Sequence, residues 1–135
     1  MNNEDINAIN QMVSDHKMDI AHECYDLFLN SSDDLPHVFR NTDLTKQKER
    51  LVEGIETILR LFNQDSELQI YLQDLGVRHI TYEVEDKHYP LIERALQGAF
   101  EKYAADYDIK IDWQVFAKTI TDNMKHGAHK LRKAS

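Results

Sequence analysis

"LQDLGVRHITYEV", residues 72–84, sets a histidine, His79, four residues after Leu75 on what is otherwise the apolar stripe of an amphipathic helix. A buried polar group without a partner costs on the order of 1–3 kcal/mol, so the placement needs a reason. The preceding stretch, "DLTKQKERLVEGIETILRLF" (43–62), reads as a long helix with Leu51, Ile55, Ile58 and Phe62 on one face. Asp65 then reads as the cap of the helix that carries Leu68, Tyr71, Leu72 and Leu75. Gly76, just before His79, predicts that this helix ends or loosens there.

Only "NQD" joins these two helices, so they run roughly antiparallel. Counting back from the turn, Leu51 is about 12 residues away and Gln47 about 16, while His79 is about 13 residues forward. At roughly 1.5 Å of rise per residue these positions reach similar heights on facing helices. Gln47 is a second polar residue on an apolar stripe, four before Leu51. Tyr25 is a third, four after Ala21 and three before Phe28. Singly, each is explained by an ordinary hydrogen-bonded or half-exposed role. Together they describe a slot lined by Leu51, Ile55 and Leu75, with a nitrogen base on one wall and an amide on the other. Such a slot suits a flat apolar cofactor with a metal at its centre, which is haem.

The rest of the chain is consistent with an all-α fold. Ile6, Ile9, Met12 and Val13 fit one short helix, and Ala21, Cys24, Tyr25 and Phe28 fit a second, ended by "NSSDDLP". "PHVF" (36–39) allows one helical turn. Pro90 suits the first turn of a helix with Ile92, Leu96, Ala99 and Tyr103 inward. Asp112 caps a last helix that buries Trp113, Phe116, Ile120 and Met124. The tail from about residue 125 is basic, which complements a helix C-terminus.

Composition narrows the function classes. A chain of 135 residues forms one domain with a core of its own, residues 1–135. A net charge of −8 argues against nucleic acid or an anionic membrane surface as partner. One cysteine, Cys24, permits no internal disulfide and predicts a reducing, cytoplasmic compartment. The polar, acidic start predicts no signal peptide, and no apolar run is long enough to span a bilayer.

The stretches "CYDLF" (24–28), "LPHVF" with "RNTD" (35–43), "KQKERL" (46–51), "LGVRHITYEV" (75–84), "HYPLIERAL" (88–96) and "DWQVF" (112–116) occur in an order and spacing that resemble a bacterial single-domain globin, similar to the haemoglobin part of flavohaemoglobins. The resemblance implies a globin fold around haem b (iron protoporphyrin IX), with O2 and other diatomic gases such as NO and CO as ligands. It implies that His79 is the proximal iron ligand, that Phe39 packs on the haem face, that Tyr25 and Gln47 are the distal pair, and that Leu51 is the apolar residue controlling access above the iron. Tyr89 corresponds to the proximal-side tyrosine, Val84 and Ile92 line the ring edge, and Arg50 and Arg78 are propionate partners. One position departs from the pattern. Flavohaemoglobins and their near relatives carry a glutamate on the last helix, where aligning on Trp113 puts Ala128, with His126 and His129 nearby. That loss argues against peroxidase-like chemistry, and the chain has no length for a reductase domain.

Two hydrogen-bond donors facing a bound gas predict tight O2 binding with slow release. This suits scavenging, nitric oxide dioxygenation with an external reductase, or gas sensing better than delivery. A di-iron bundle is the rival from another class, built on Glu85-x-x-His88 and Asp19-x-x-His22. Such a bundle needs two Glu-x-x-His pairs and two more inward glutamates, and Asp19 and His22 cannot both share the stripe of Ala21, Tyr25 and Phe28. A haem-free globin scaffold is a third reading, opposed by the joint presence of His79, Phe39, Tyr25 and Gln47.

Overall fold

Side-chain caps and prolines set the helix boundaries in the computed structural model, which describes residues 1–80 and 84–134. Asn2 opens α1 (Asn3–Leu29) by accepting the Asp5 N–H at 2.8 Å. Pro36 lies in the first turn of the short α2 (Leu35–Val38). Asp43 opens α3 (Leu44–Leu61) by accepting the Lys46 N–H at 3.2 Å. After a tight turn comes α4 (Asp65–Ile80), then a 3-10 turn over Asp86–His88 and α5 (Tyr89–Ala104), with Pro90 in its first turn. The Asp112 carboxylate accepts from the N–H groups of Gln114 and Val115 and opens α6 (Trp113–Ala134). Among the described residues all the regular structure is helical, so the all-α expectation holds.

The structure departs from the local expectations in three places. The two short N-terminal helices are one helix, α1, broken only at His16 (φ −130°, ψ 26°), whose ring lies 4.8 Å from that of Tyr103. Asp65 is a first-turn residue of α4, where a carboxylate suits the helix dipole, rather than the residue before it. Gly76 does not loosen α4, which continues to Ile80. Its reason is packing. A Cβ on Gly76 would lie 1.8 Å from the Met124 carbonyl oxygen, and one on Gly127 would lie 2.2 Å from that of Gln73. Helices α4 and α6 thus cross with their backbones in contact, through one glycine on each.

Packing relations arrange the helices as an open chain. α3 lies on α1, α1 on α5, α5 on α6 and α6 on α4, while α3 and α4 touch each other little. The two ends of that series therefore face one another. The end of α3 is fastened to α6, where Phe62 stacks on Phe116 at 5.4 Å, within an aromatic cluster that includes Phe100 and Trp113. The space between α3 and α4 is the site.

Candidate haem cavity

A cavity of about 440 Å³ opens between α3 and α4, within the size range of small-molecule and cofactor sites. The α3 wall presents Gln47, Arg50, Leu51 and Ile55, and the α4 wall presents Leu75, Arg78 and His79. Tyr25 comes from α1, Phe39 from the end of α2, and Val84 and Ile92 from the far side. Of the residues expected from the sequence, the structure thus brings Tyr25, Phe39, Gln47, Arg50, Leu51, Leu75, Arg78, His79, Val84 and Ile92 to one cavity. Tyr89 is the exception. It is buried in the core at the start of α5 and does not line the space.

Periodicity explains how two helices supply the facing walls. Positions 47, 51, 54, 55 and 58 recur at three- and four-residue spacing along α3, and 71, 75, 78 and 79 do so along α4, so each set shares one face. Phe39, Leu51, Leu75 and Ile92 are only partly buried although apolar, and all four line the cavity. Phe28 and Phe39 meet edge to face at 5.8 Å and build the wall near Tyr25.

The His79 imidazole is already oriented by its own helix. Its Nδ1 lies 2.7 Å from the Leu75 carbonyl oxygen, which can only accept, so Nδ1 carries the proton and Nε2 the lone pair. Burial pushes the His79 pKa below its ordinary value; the hydrogen bond to Leu75 opposes that and the charge of Arg78 adds to it. A neutral imidazole with a defined tautomer is the form in which histidine ligates metals. The residues present therefore fit haem: an apolar cleft, one pre-oriented imidazole on a single wall, and Arg50 and Arg78, both exposed, at the rim. Arg78 is held by Asp74 at 3.2 Å and by the face of Tyr71.

Ala128, at the position where the resemblance expects a carboxylate, is fully buried. Neighbouring His129 turns away to the 3-10 turn and bonds both oxygens of Asp86, at 2.8 and 2.9 Å. Glu85 and His88 are used in a capping box, with the Glu85 N–H donating to His88 Nδ1 at 2.9 Å. Asp19 and His22 are exposed on α1, and no group of three or more potential metal-binding side chains occurs among the described residues. The di-iron arrangement has no geometric support. Residues 81–83, part of one motif behind the resemblance, lie outside the described residues.

Several lining residues are not among those expected. Tyr71, Gly54, Glu53 and Thr57 border the cavity nearer the α3–α4 turn, and Ile120 and Met124 of α6 close its back. The periodicity puts Tyr71 on the same face as Leu75 and His79, but spacing alone does not separate a core-facing stripe from a cavity-facing one.

No curated protein matches the chain at a significant level. A sequence model of the family described as Globin matches residues 16–124. That span runs from the kink in α1 into α6 and includes the whole α3–α4 crevice. With most of its length matched and its helices arranged about one apolar cleft, the chain belongs to the globins, a family of haem-binding proteins for diatomic gases.

Proposed function

We propose that this globin holds haem b with His79 as the proximal ligand and binds O2 reversibly and tightly, with Tyr25 and Gln47 as distal donors. Bound haem supplies a ferrous iron at which O2, CO and NO are taken up. One observation carries the reading. A single imidazole, with its proton fixed on Nδ1 by the Leu75 carbonyl, lines the same apolar cavity as a phenol and a primary amide that stand on other helices.

Each side chain has a distinct task. His79 fixes the cofactor's centre relative to α4. Phe39 and Leu51 exclude water from its faces, and Val84 and Ile92 from its edge. Tyr25 and Gln47 present O–H and N–H donors to a gas that gains negative charge on its outer atom when bound, as oxygen does and carbon monoxide does far less. Hydrogen bonds to a charged partner contribute about 1.5–3 kcal/mol each. Two of them slow oxygen release by some 10²- to 10⁴-fold relative to an apolar pocket, at about 1.4 kcal/mol per factor of ten. The Nδ1 partner of His79 is a neutral peptide oxygen rather than a carboxylate, and Ala128 offers none, so the imidazole is not driven towards anionic character. This favours gas binding over peroxidase-like chemistry. Retention of O2 also suits nitric oxide dioxygenation with an external reductase.

The test is direct. Purified protein titrated with hemin gains an intense Soret band with one-to-one stoichiometry, and His79→Ala loses it unless free imidazole is added. Tyr25→Phe releases O2 at least tenfold faster by stopped flow, with CO release nearly unchanged. Failure of the wild-type chain to retain hemin sinks the haem reading. Equal effects on the two gases remove Tyr25 from its distal role.

A further inference from the structure

Tyr71 lines the cavity but is neither the proximal ligand nor a distal donor. It stands on α4 two turns before His79, on the same face, and its hydroxyl oxygen lies 3.6 Å from where a Cβ on Gly54 would be. Gly54 belongs to α3. The phenol therefore crosses the crevice and ends in the notch that a missing side chain leaves in the opposite helix. Counted from the α3–α4 turn, positions 54 and 71 are nearly level, with 51 and 75 one turn further out and 47 and 79 two. Tyr71 thus spans the crevice below the stretch in which Leu51, Leu75, Gln47 and His79 face it, with Thr57 and Ile58 lining the space nearer the turn.

We propose that Tyr71, seated in the notch at Gly54, is a positioning residue for the cofactor: its ring is the floor on which the inner edge of the tetrapyrrole rests, and it sets seating depth and the preferred face orientation. The inference rests on the haem reading and extends it to a residue outside the ligand and distal sets. Axial rise places Tyr71 about 12 Å before His79 along α4, which accommodates half the breadth of a substituted porphyrin and one van der Waals contact. Because porphyrin substituents are asymmetric, turning the ring over exchanges the methyl and vinyl groups that meet this floor. A rigid aromatic there makes one orientation fit better. The guanidinium of Arg78 lies 5.9 Å from the centre of the same ring and helps to hold it in place.

The experiment compares hemin-reconstituted wild type with Tyr71→Ala, Tyr71→Phe and Gly54→Leu. Proton NMR of the cyanide-bound ferric form counts haem orientations through the shifted ring-methyl signals. Hemin transfer to an excess of a tighter acceptor gives the rate of loss. Wild type shows one dominant methyl set. Tyr71→Ala shows two comparable sets and loses hemin at least tenfold faster. Tyr71→Phe keeps the wild-type pattern, because the floor is the ring. Gly54→Leu fills the notch, displaces the phenol and also changes the methyl ratio; it decides the matter should Tyr71→Ala not fold. Two equal sets in wild type, an unchanged ratio in both Tyr71→Ala and Gly54→Leu, or Tyr71→Phe behaving like Tyr71→Ala overturns the proposal while the haem reading stands. A wild type that takes up no hemin overturns both.

Discussion

Replacing Gly76 by alanine separates two forces that act in opposite directions on the same methyl group. Intrinsic helix propensity favours the change, since alanine in a helix interior is about 0.8–1.0 kcal/mol better than glycine. Packing opposes it. The new Cβ would sit 1.8 Å from the Met124 carbonyl oxygen, with the Met124 carbonyl carbon 2.5 Å away. An ordinary carbon–oxygen contact is about 3.3 Å, so α4 and α6 must part locally by about 1.5 Å. Contacts along the crossing then lose a large fraction of their dispersion attraction, since gaps of about 0.5–1 Å already forfeit a quarter to a half of it. Overpacking of this kind costs about 1–3 kcal/mol, and backbone against backbone belongs at the upper end because no side chain can rotate away. The net loss is about 2 kcal/mol, a fall in Tm of about 7 °C for a domain of this size.

Gly54→Ala is the matched control, because a Cβ there meets only the Tyr71 hydroxyl at 3.6 Å, an ordinary contact. Propensity should then dominate and raise Tm by about 3 °C. Thermal melts followed by circular dichroism at 222 nm, in one buffer and without hemin, measure both variants. Gly76 lies one helical turn before His79, so the displacement also weakens hemin retention in that variant. A Gly76→Ala protein that melts at or above wild type refutes the close-crossing argument, as does an equal fall in the two variants.

Asp112→Ala removes the carboxylate that accepts two backbone N–H groups at the start of α6 and should lower stability by about 1 kcal/mol in urea unfolding. Burial pushes the Cys24 thiol up to about 12, so thiol reagents should label it far more slowly in the native protein than in denaturant, although it borders the cavity; equal labelling rates in the two states would contradict its placement. The Tyr107 hydroxyl bonds the Asp15 carboxylate at 2.5 Å, which lowers the Asp15 pKa and, with burial, raises that of Tyr107 to about 12. Their stabilising contact is therefore complete between the two groups' ordinary values. It fades as acid carries the pH below the ordinary value of Asp15 and through its lowered one, or as base carries it through that of Tyr107. In Tyr107→Phe the Asp15 titration, followed by NMR, should move back up towards the usual carboxylate value.

Most of the helices and half the site are legible without coordinates, for identifiable reasons. Pro90 and Asp112, which open two of the helices, act within a few residues of themselves, so sequence spacing carries their information. His79 and Gln47 could be set on facing walls because a three-residue link leaves two helices little choice but to double back. Gly76 was misleading because local sequence presents it as a weak point in a helix, whereas its missing side chain serves α6, some 50 residues away. Tyr71 and Leu75 share a stripe, and nothing along the chain says which part of a stripe meets protein and which meets a cavity. That depends on α3 and α4 being the two ends of the packing series, joined by a short turn but each packed mainly on another helix, α3 on α1 and α4 on α6. Local hydrogen bonding and periodicity thus determined the helices and their apolar faces. Only the long-range crossing of α4 on α6, a contact between distant backbones, decided that α3 and α4 would stand apart and leave His79 facing a cleft.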